Sequence, residues 1–186
     1  INPYGFTKLV VERAMSDYAH AYGFGAAALR YFNASGASAD ASIGEDHDPA
    51  SHLIPIVLQV ALGQRESISV FGKDSPTPDG TCIRDYIHVK DLARAHVAAL
   101  QHLREGGSSE IFNCGYSHGF TVLEVIDAVK RVAGRAFDVR YSPRRPGDPP
   151  EIVADSTKIR AKLGWEPRHD DLDEIVRHAL EWEDRL

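Results

Sequence analysis

Pro3-Tyr4-Gly5-Phe6-Thr7-Lys8 opens a periodic stretch that ends near Gly23, and Ala26-Ala27-Ala28-Leu29-Arg30-Tyr31-Phe32 follows it. Proline suits the first turn of a helix, where its missing N–H is not needed. Phe6, Val10 and Ala14 then recur every four residues, beside a second stripe of Val11, Met15, Tyr18 and Tyr22. This spacing predicts a helix to about Ala21, stopped by Gly23 and Gly25. The apolar run 26–32 predicts a buried strand.

The rest of the chain repeats that alternation. Helices are expected over 53–62, from Asp91 as cap through Leu103, from the Thr121–Glu124 capping box to Gly134, after Ser156 as cap to Gly164, and over 172–182. Strands are expected at 68–71, 111–113 and 139–141, with loops at 33–51, 73–80 and 143–150. Alternating strands and helices make the class α/β or mixed α+β. No internal repeat stands out.

Composition narrows the function. At 186 residues and 43% hydrophobic content, the chain can bury a core. A net charge of −6 argues against a nucleic-acid binder, which needs a basic face. No apolar run reaches the roughly 20 residues that cross a bilayer. Cys82 and Cys114 fit neither a metal spacing nor a disulfide framework, so a cytoplasmic setting is expected. The nine histidines show no ligand spacing, and no metal site is expected. Glu45-Asp46-His47-Asp48 reads as a polar loop. The sequence starts at Ile1 without methionine and enters a helix at once, which leads us to expect a missing upstream part.

Tyr4 and Lys8 are the sharpest chemical feature. Residues i and i+4 share a helix face, so phenol and ammonium project together. A free phenol titrates near 10 and is a poor base at neutral pH; a nearby cation favours phenolate. The spacing alone favours the plainer reading, an exposed helical pair. Arg84 beside Asp85 could be a structural ion pair, Arg144 and Arg145 a solvated loop, and Phe71 plain core.

The motifs taken together decide among these. Asn2-Pro3-Tyr4-Gly5-Phe6-Thr7-Lys8, Leu29-Arg30-Tyr31-Phe32-Asn33, Ala34-Ser35-Gly36-Ala37, His52-Leu53-Ile54-Pro55 and Val70-Phe71-Gly72 stand in order. The stretch from Asp79 to Val89, then Asp91-Leu92-Ala93, Pro143 to Asp148 and Leu163-Gly164-Trp165 complete the series. The set resembles the UDP-hexose 4-epimerases, in the extended branch of the short-chain dehydrogenase/reductase superfamily. The resemblance implies the last part of an NAD-binding doubly wound domain in residues 1–35. It implies a smaller mixed α/β sugar-nucleotide domain in 36–186, with 84–118 able to pack back on the first.

It also implies roles. Tyr4 would accept the proton, Lys8 would hold the nicotinamide ribose, and Tyr31 and Phe32 would lie against NAD. Asn33, His52, Leu53, Ser69, Val70 and Phe71 would contact the UDP-hexose. Arg84 and Arg145 would clamp the diphosphate, Asp148 would take a ribose hydroxyl, and Ile152 would gate the sugar pocket. In this family a large aromatic gate narrows that pocket, so Ile152 leads us to expect some tolerance for N-acetylhexosamines. The implied reaction interconverts UDP-glucose and UDP-galactose by oxidation at C4, rotation of the 4-keto sugar and reduction, in a homodimer.

One part of the family pattern is missing. A glycine-rich dinucleotide turn should follow a strand and open a helix. Gly23-Phe24-Gly25-Ala26-Ala27-Ala28 mimics it but follows a helix and precedes a strand. The 186 residues alone are therefore expected neither to retain NAD nor to turn over substrate. A UDP-glucuronate epimerase or decarboxylase, or a non-catalytic UDP-sugar-binding module, are the rival readings.

Overall fold

The six expected helices form, with ends within three residues of those read from the sequence. In a computed structural model, which describes residues 3–186, the first helix α1 spans Pro3–Tyr22. Asn2, the start of the first motif, lies outside the described residues. Gly23 ends α1 with φ 64°, and its N–H reaches the Ala19 carbonyl at 3.1 Å. The other helices are α2 (Leu53–Ala61), α3 (Val89–Arg104), α4 (Val122–Ala133), α5 (Thr157–Leu163) and α6 (Leu172–Glu183). Thr121 and Glu124 form the capping box of α4 in both directions, at 3.1 and 2.7 Å. Thr121→Ala removes the acceptor for the Glu124 N–H and should lower stability by about 1 kcal/mol. Urea denaturation would read this, and an unchanged midpoint would contradict it.

Two expected caps are corrected. His88, not Asp91, caps α3: its ring accepts the Lys90 N–H at 3.1 Å. Asp91 lies within the first turn of α3 and is fully buried, so its carboxylate turns to the interior instead. Ser156 holds the cap position of α5 without a side-chain cap bond. Its Oγ donates to the Gly115 carbonyl at 2.6 Å, a partner 41 residues away.

The strands pair mostly in parallel. β1 (Ala27–Tyr31) lies along β6 (Glu110–Cys114), with Leu29 opposite Phe112. β2 (Asn33–Ser35) lies along β5 (Tyr86–His88), and β3 (Ile68–Phe71) along β8 (Val139–Ser142). In the mixed sheet, β4 (Ile83–Arg84) is central, antiparallel to β7 (Phe120–Thr121) and parallel to β9 (Glu151–Ile152). The strand expected over 26–32 is β1, and β2 is a second strand formed by the first three residues of the expected 33–51 loop, the two meeting at a switch. Phe32 donates its N–H to Cys114 at 3.3 Å, and Asn33 donates to Asp85 at 3.1 Å. The chain changes partner between these two residues.

The core lies under α2, α4 and α6, which pack on one another. Val57, Leu58, Ile126, Val129, Ile175 and Val176 are essentially fully buried there. Their spacing along each helix builds one apolar face per helix. In contrast, α1 contributes no buried residue, and Phe6, Val10, Val11, Tyr18 and Tyr22 are exposed. Glu12 ties α1 to β1 through a forked pair with Arg30, both bonds 2.6 Å. Among the described residues, no helix is long and apolar enough to cross a membrane.

Candidate active site

The i, i+4 spacing on α1 does bring Tyr4 and Lys8 together. The Lys8 ammonium sits 5.1 Å from the centre of the Tyr4 ring, and Tyr4 is 70% exposed. The phenol and the cation therefore face outward side by side. Beyond the far end of the helix, the chain switch positions the next group. Tyr31 is exposed and lies 6.5 Å from the His96 ring. Phe32 is half-buried at the switch itself. Asn33 is exposed, and its Nδ2 donates to the Asp85 carbonyl at 2.8 Å.

A second cluster forms around β4. Arg84 donates from one guanidinium nitrogen to Asp148 Oδ1 at 2.5 Å and from another to the Ile83 carbonyl at 2.7 Å. The β4–β9 register sets Arg84 directly beside Ile152, which is 38% exposed. Arg145 lies 3.9 Å above the Phe71 ring, a cation–π contact. The possible Arg84–Asp85 ion pair is not formed. Successive strand residues point to opposite sides, so Asp85 turns inward while Arg84 reaches Asp148. Neither the Arg84–Asp148 nor the Arg145–Phe71 meeting could be read from spacing, since each joins segments far apart in sequence.

The remaining candidates divide by the two-residue alternation of β3. Ser69 and Phe71 are exposed, whereas Val70 is buried in the core. Val70 could meet a ligand only through its main chain. Leu53 is half-buried against the core. His52 is exposed, and its Nδ1 lies 2.6 Å from Glu45.

Sequence reasoning missed a buried polar layer behind these groups. Asp85 and Asp91 are both fully buried and accept several hydrogen bonds. Their one visible signal is a carboxylate inside an apolar strand–helix segment, 83–95. Beside them, His88 and His178 are joined at 2.9 Å between Nε2 and Nδ1. Because His88 Nδ1 accepts the Lys90 N–H, its proton lies on Nε2 and points to His178. His169 stacks on His88 at 4.6 Å and contacts Glu174 at 3.0 Å.

Burial pushes His88 down to about 4, helped by His169 and His178, while Glu174 and Asp91 oppose it. Burial also lowers His178, with Arg177 adding to it and Glu174 and Glu181 opposing. The unfolded state then binds more protons than the folded one below about pH 6.5. Stability is complete above that pH and declines as pH falls toward 4. We expect a loss of about 2 kcal/mol between pH 7 and pH 5. Denaturant melts at the two pH values measure it; equal stabilities would contradict the assignment.

The model of the NAD dependent epimerase/dehydratase family matches residues 1–115, and the chain belongs to that family. It is 53% identical to the UDP-glucose 4-epimerase of Halalkalibacterium halodurans, over 97% of this chain and 54% of that protein. The crystal structure of UDP-glucose 4-epimerase from Brucella ovis in complex with NAD is 50% identical, with a TM-score of 0.94. That match covers 97% of this chain and 56% of the other. The UDP-Glc/GlcNAc 4-epimerase from Campylobacter jejuni is 45% identical with a TM-score of 0.82, over 100% of this chain and 56% of that one. The chain spans about half the length of the curated relatives it matches.

Proposed function

We propose that the whole protein interconverts UDP-glucose and UDP-galactose by NAD-dependent epimerisation at C4. The observation that carries this reading is the 53% identity to such an enzyme across 97% of the chain, combined with Tyr4 and Lys8 in contact on an exposed helix face. The Tyr4 hydroxyl and Lys8 ammonium offer hydrogen-bonding groups suited to the ribose end of a dinucleotide. NAD, when bound, supplies the reversible oxidant for the sugar carbon. Tyr4 takes the proton from the sugar 4-hydroxyl and returns it after the sugar has turned, with the Lys8 ammonium beside its ring. Tyr31 and Phe32, at the strand switch, would lie against the cofactor. Asn33 and the arginine cluster hold the nucleotide and leave the sugar free to rotate.

In this reading Arg84 and Arg145 take the diphosphate, since guanidinium forks match phosphate oxygens. Asp148 takes a ribose hydroxyl. His52, Leu53, Ser69, Val70 and Phe71 complete the nucleotide pocket. An aliphatic Ile152 at the sugar end suits N-acetylated hexoses as well. The domain division is proposed at residue 35, with 84–118 packing back on the first unit. The buried free cysteines, Cys82 and Cys114, suit a reducing cytoplasm, and the assembly proposed with this activity is a homodimer.

The test is turnover of UDP-galactose by the whole protein, with UDP-GlcNAc and UDP-glucuronate in parallel. UDP-glucose should appear without net reduction of NAD. Consumption of UDP-glucuronate alone would overturn the reading. Arg84→Ala should weaken UDP-hexose binding about 10- to 100-fold, the loss of charge-assisted hydrogen bonds to phosphate. Calorimetry reads it, and affinity within twofold of wild type would remove Arg84 from the clamp.

A further inference from the structure

Three groups of the proposed sugar-nucleotide site come from separate strands: Asn33 from β2, Arg84 from β4 and Ile152 from β9. All three converge on a residue that none of the roles above includes. The Asp85 carbonyl accepts both the backbone N–H and the side-chain amide of Asn33, at 3.1 and 2.8 Å. The Asp85 N–H donates to the Ile152 carbonyl at 3.2 Å. Arg84 precedes it in the chain. One peptide unit on each side of Asp85 thus sets the spacing of all three groups.

The side chain fixes that peptide. Asp85 is fully buried, and its carboxylate accepts N–H groups from Tyr116 at 2.9 and 3.0 Å, Ala154 at 3.1 Å and Ser117 at 3.2 Å. These donors belong to the turn after β6 and the segment after β9. The approach is close: a Cβ on Gly115 would stand 2.5 Å from Asp85 Oδ2. The carboxylate cannot swing without breaking several bonds or striking this backbone.

We propose that Asp85 is a positioning residue of the sugar-nucleotide site, locking the Asn33 amide, Arg84 and Ile152 into one frame through its buried carboxylate. It touches no ligand itself. The proposal rests on the sugar-nucleotide reading for its consequence, but its geometry can be tested separately. Asp85→Asn keeps the shape and one oxygen, yet sets an NH2 group against backbone donors. The frame should loosen while the core around Ile126 and Ile175 stays packed.

The experiment pairs two readouts on the folded whole protein. Nuclear magnetic resonance follows the Asn33 side-chain amide and its hydrogen exchange; calorimetry follows UDP-hexose affinity. Asp85→Asn should shift the Asn33 resonances, speed that exchange at least tenfold and weaken UDP-hexose binding at least tenfold. Ile175→Val, a core change of comparable effect on melting, should leave both readouts within twofold. A folded Asp85→Asn variant with both readouts within twofold would overturn the proposal. If wild type binds no UDP-hexose, the functional reading fails and the Asn33 resonances alone decide the positioning role. Should Asp85→Asn not fold, Gly115→Ala pushes the carboxylate without removing it and is read the same way. In wild type the Tyr116, Ser117 and Ala154 amides must be protected from exchange; unprotected rates would refute the frame outright.

Discussion

Asp91→Ala is expected to lower the folding stability by about 3–5 kcal/mol. The carboxylate is fully buried at the first turn of α3. Its Oδ2 accepts the Arg168 N–H at 2.8 Å, the His169 N–H at 2.9 Å and the Tyr116 hydroxyl at 2.9 Å. Its Oδ1 takes Arg94 at 2.9 Å. Alanine leaves these donors without the carboxylate acceptor, and each unpaired buried group costs about 1–3 kcal/mol. Arg94 is partly exposed and can turn to solvent, and the Tyr116 hydroxyl has a second acceptor in the His169 carbonyl at 3.0 Å. The sum therefore falls short of four full penalties. Burial pushes the Tyr116 phenol well above its ordinary value, so it stays a neutral donor at any working pH.

The same carboxylate explains why the loss should spread. Tyr116, whose hydroxyl the carboxylate holds, accepts the His88 N–H at 3.0 Å. Asp91 thus joins α3, the turn after β6 and the approach to α6. Asp91→Asn keeps one oxygen for the two backbone donors and should cost less, about 1–2 kcal/mol. Equilibrium denaturation orders the variants. An alanine variant within 1 kcal/mol of wild type would show that water or rearrangement satisfies these donors.

How far the sequence reveals this depends on distance along the chain. The α4 capping box, the Gly23, Gly134 and Gly164 stops and the Tyr4–Lys8 face all rest on contacts within four or five residues. Local stereochemistry determines them, and they are legible. β3 is legible as a strand because its apolar run is bounded by turn residues. β4, β7 and β9 are two residues each and exist through their partners: Ile83 faces Thr121 on one side and Glu151 on the other. Such pairs leave no periodicity. Asp91 and Ser156 show a related limit. Both residue types suit a helix cap, but a buried interior offers competing partners, and a single sequence does not say which wins. The arginine cluster was legible only as residue types with the right chemistry; its assembly depends on Arg84 and Asp148 meeting across 64 residues.

In the whole protein, Tyr4→Phe is expected to lower kcat for UDP-galactose by about 10²- to 10⁴-fold, the usual reach of a positioned proton acceptor. The substitution removes one hydroxyl and little else. Because the ring and nearly all of its volume are kept, packing and folding stability should move by less than about 0.5 kcal/mol. The ring remains, and Lys8 keeps its place 5.1 Å from the ring centre through a cation–π contact. Binding of the nucleotide, assigned to groups on β3, β4 and the 143–150 loop, should stay within about threefold. The expected pattern is a large fall in kcat, a small change in KM and an unchanged melting curve. That pattern separates proton transfer from a supporting role. If kcat fell less than fivefold, the proton would have another acceptor, and the proposed C4 chemistry would have to run without the phenol that Lys8 attends.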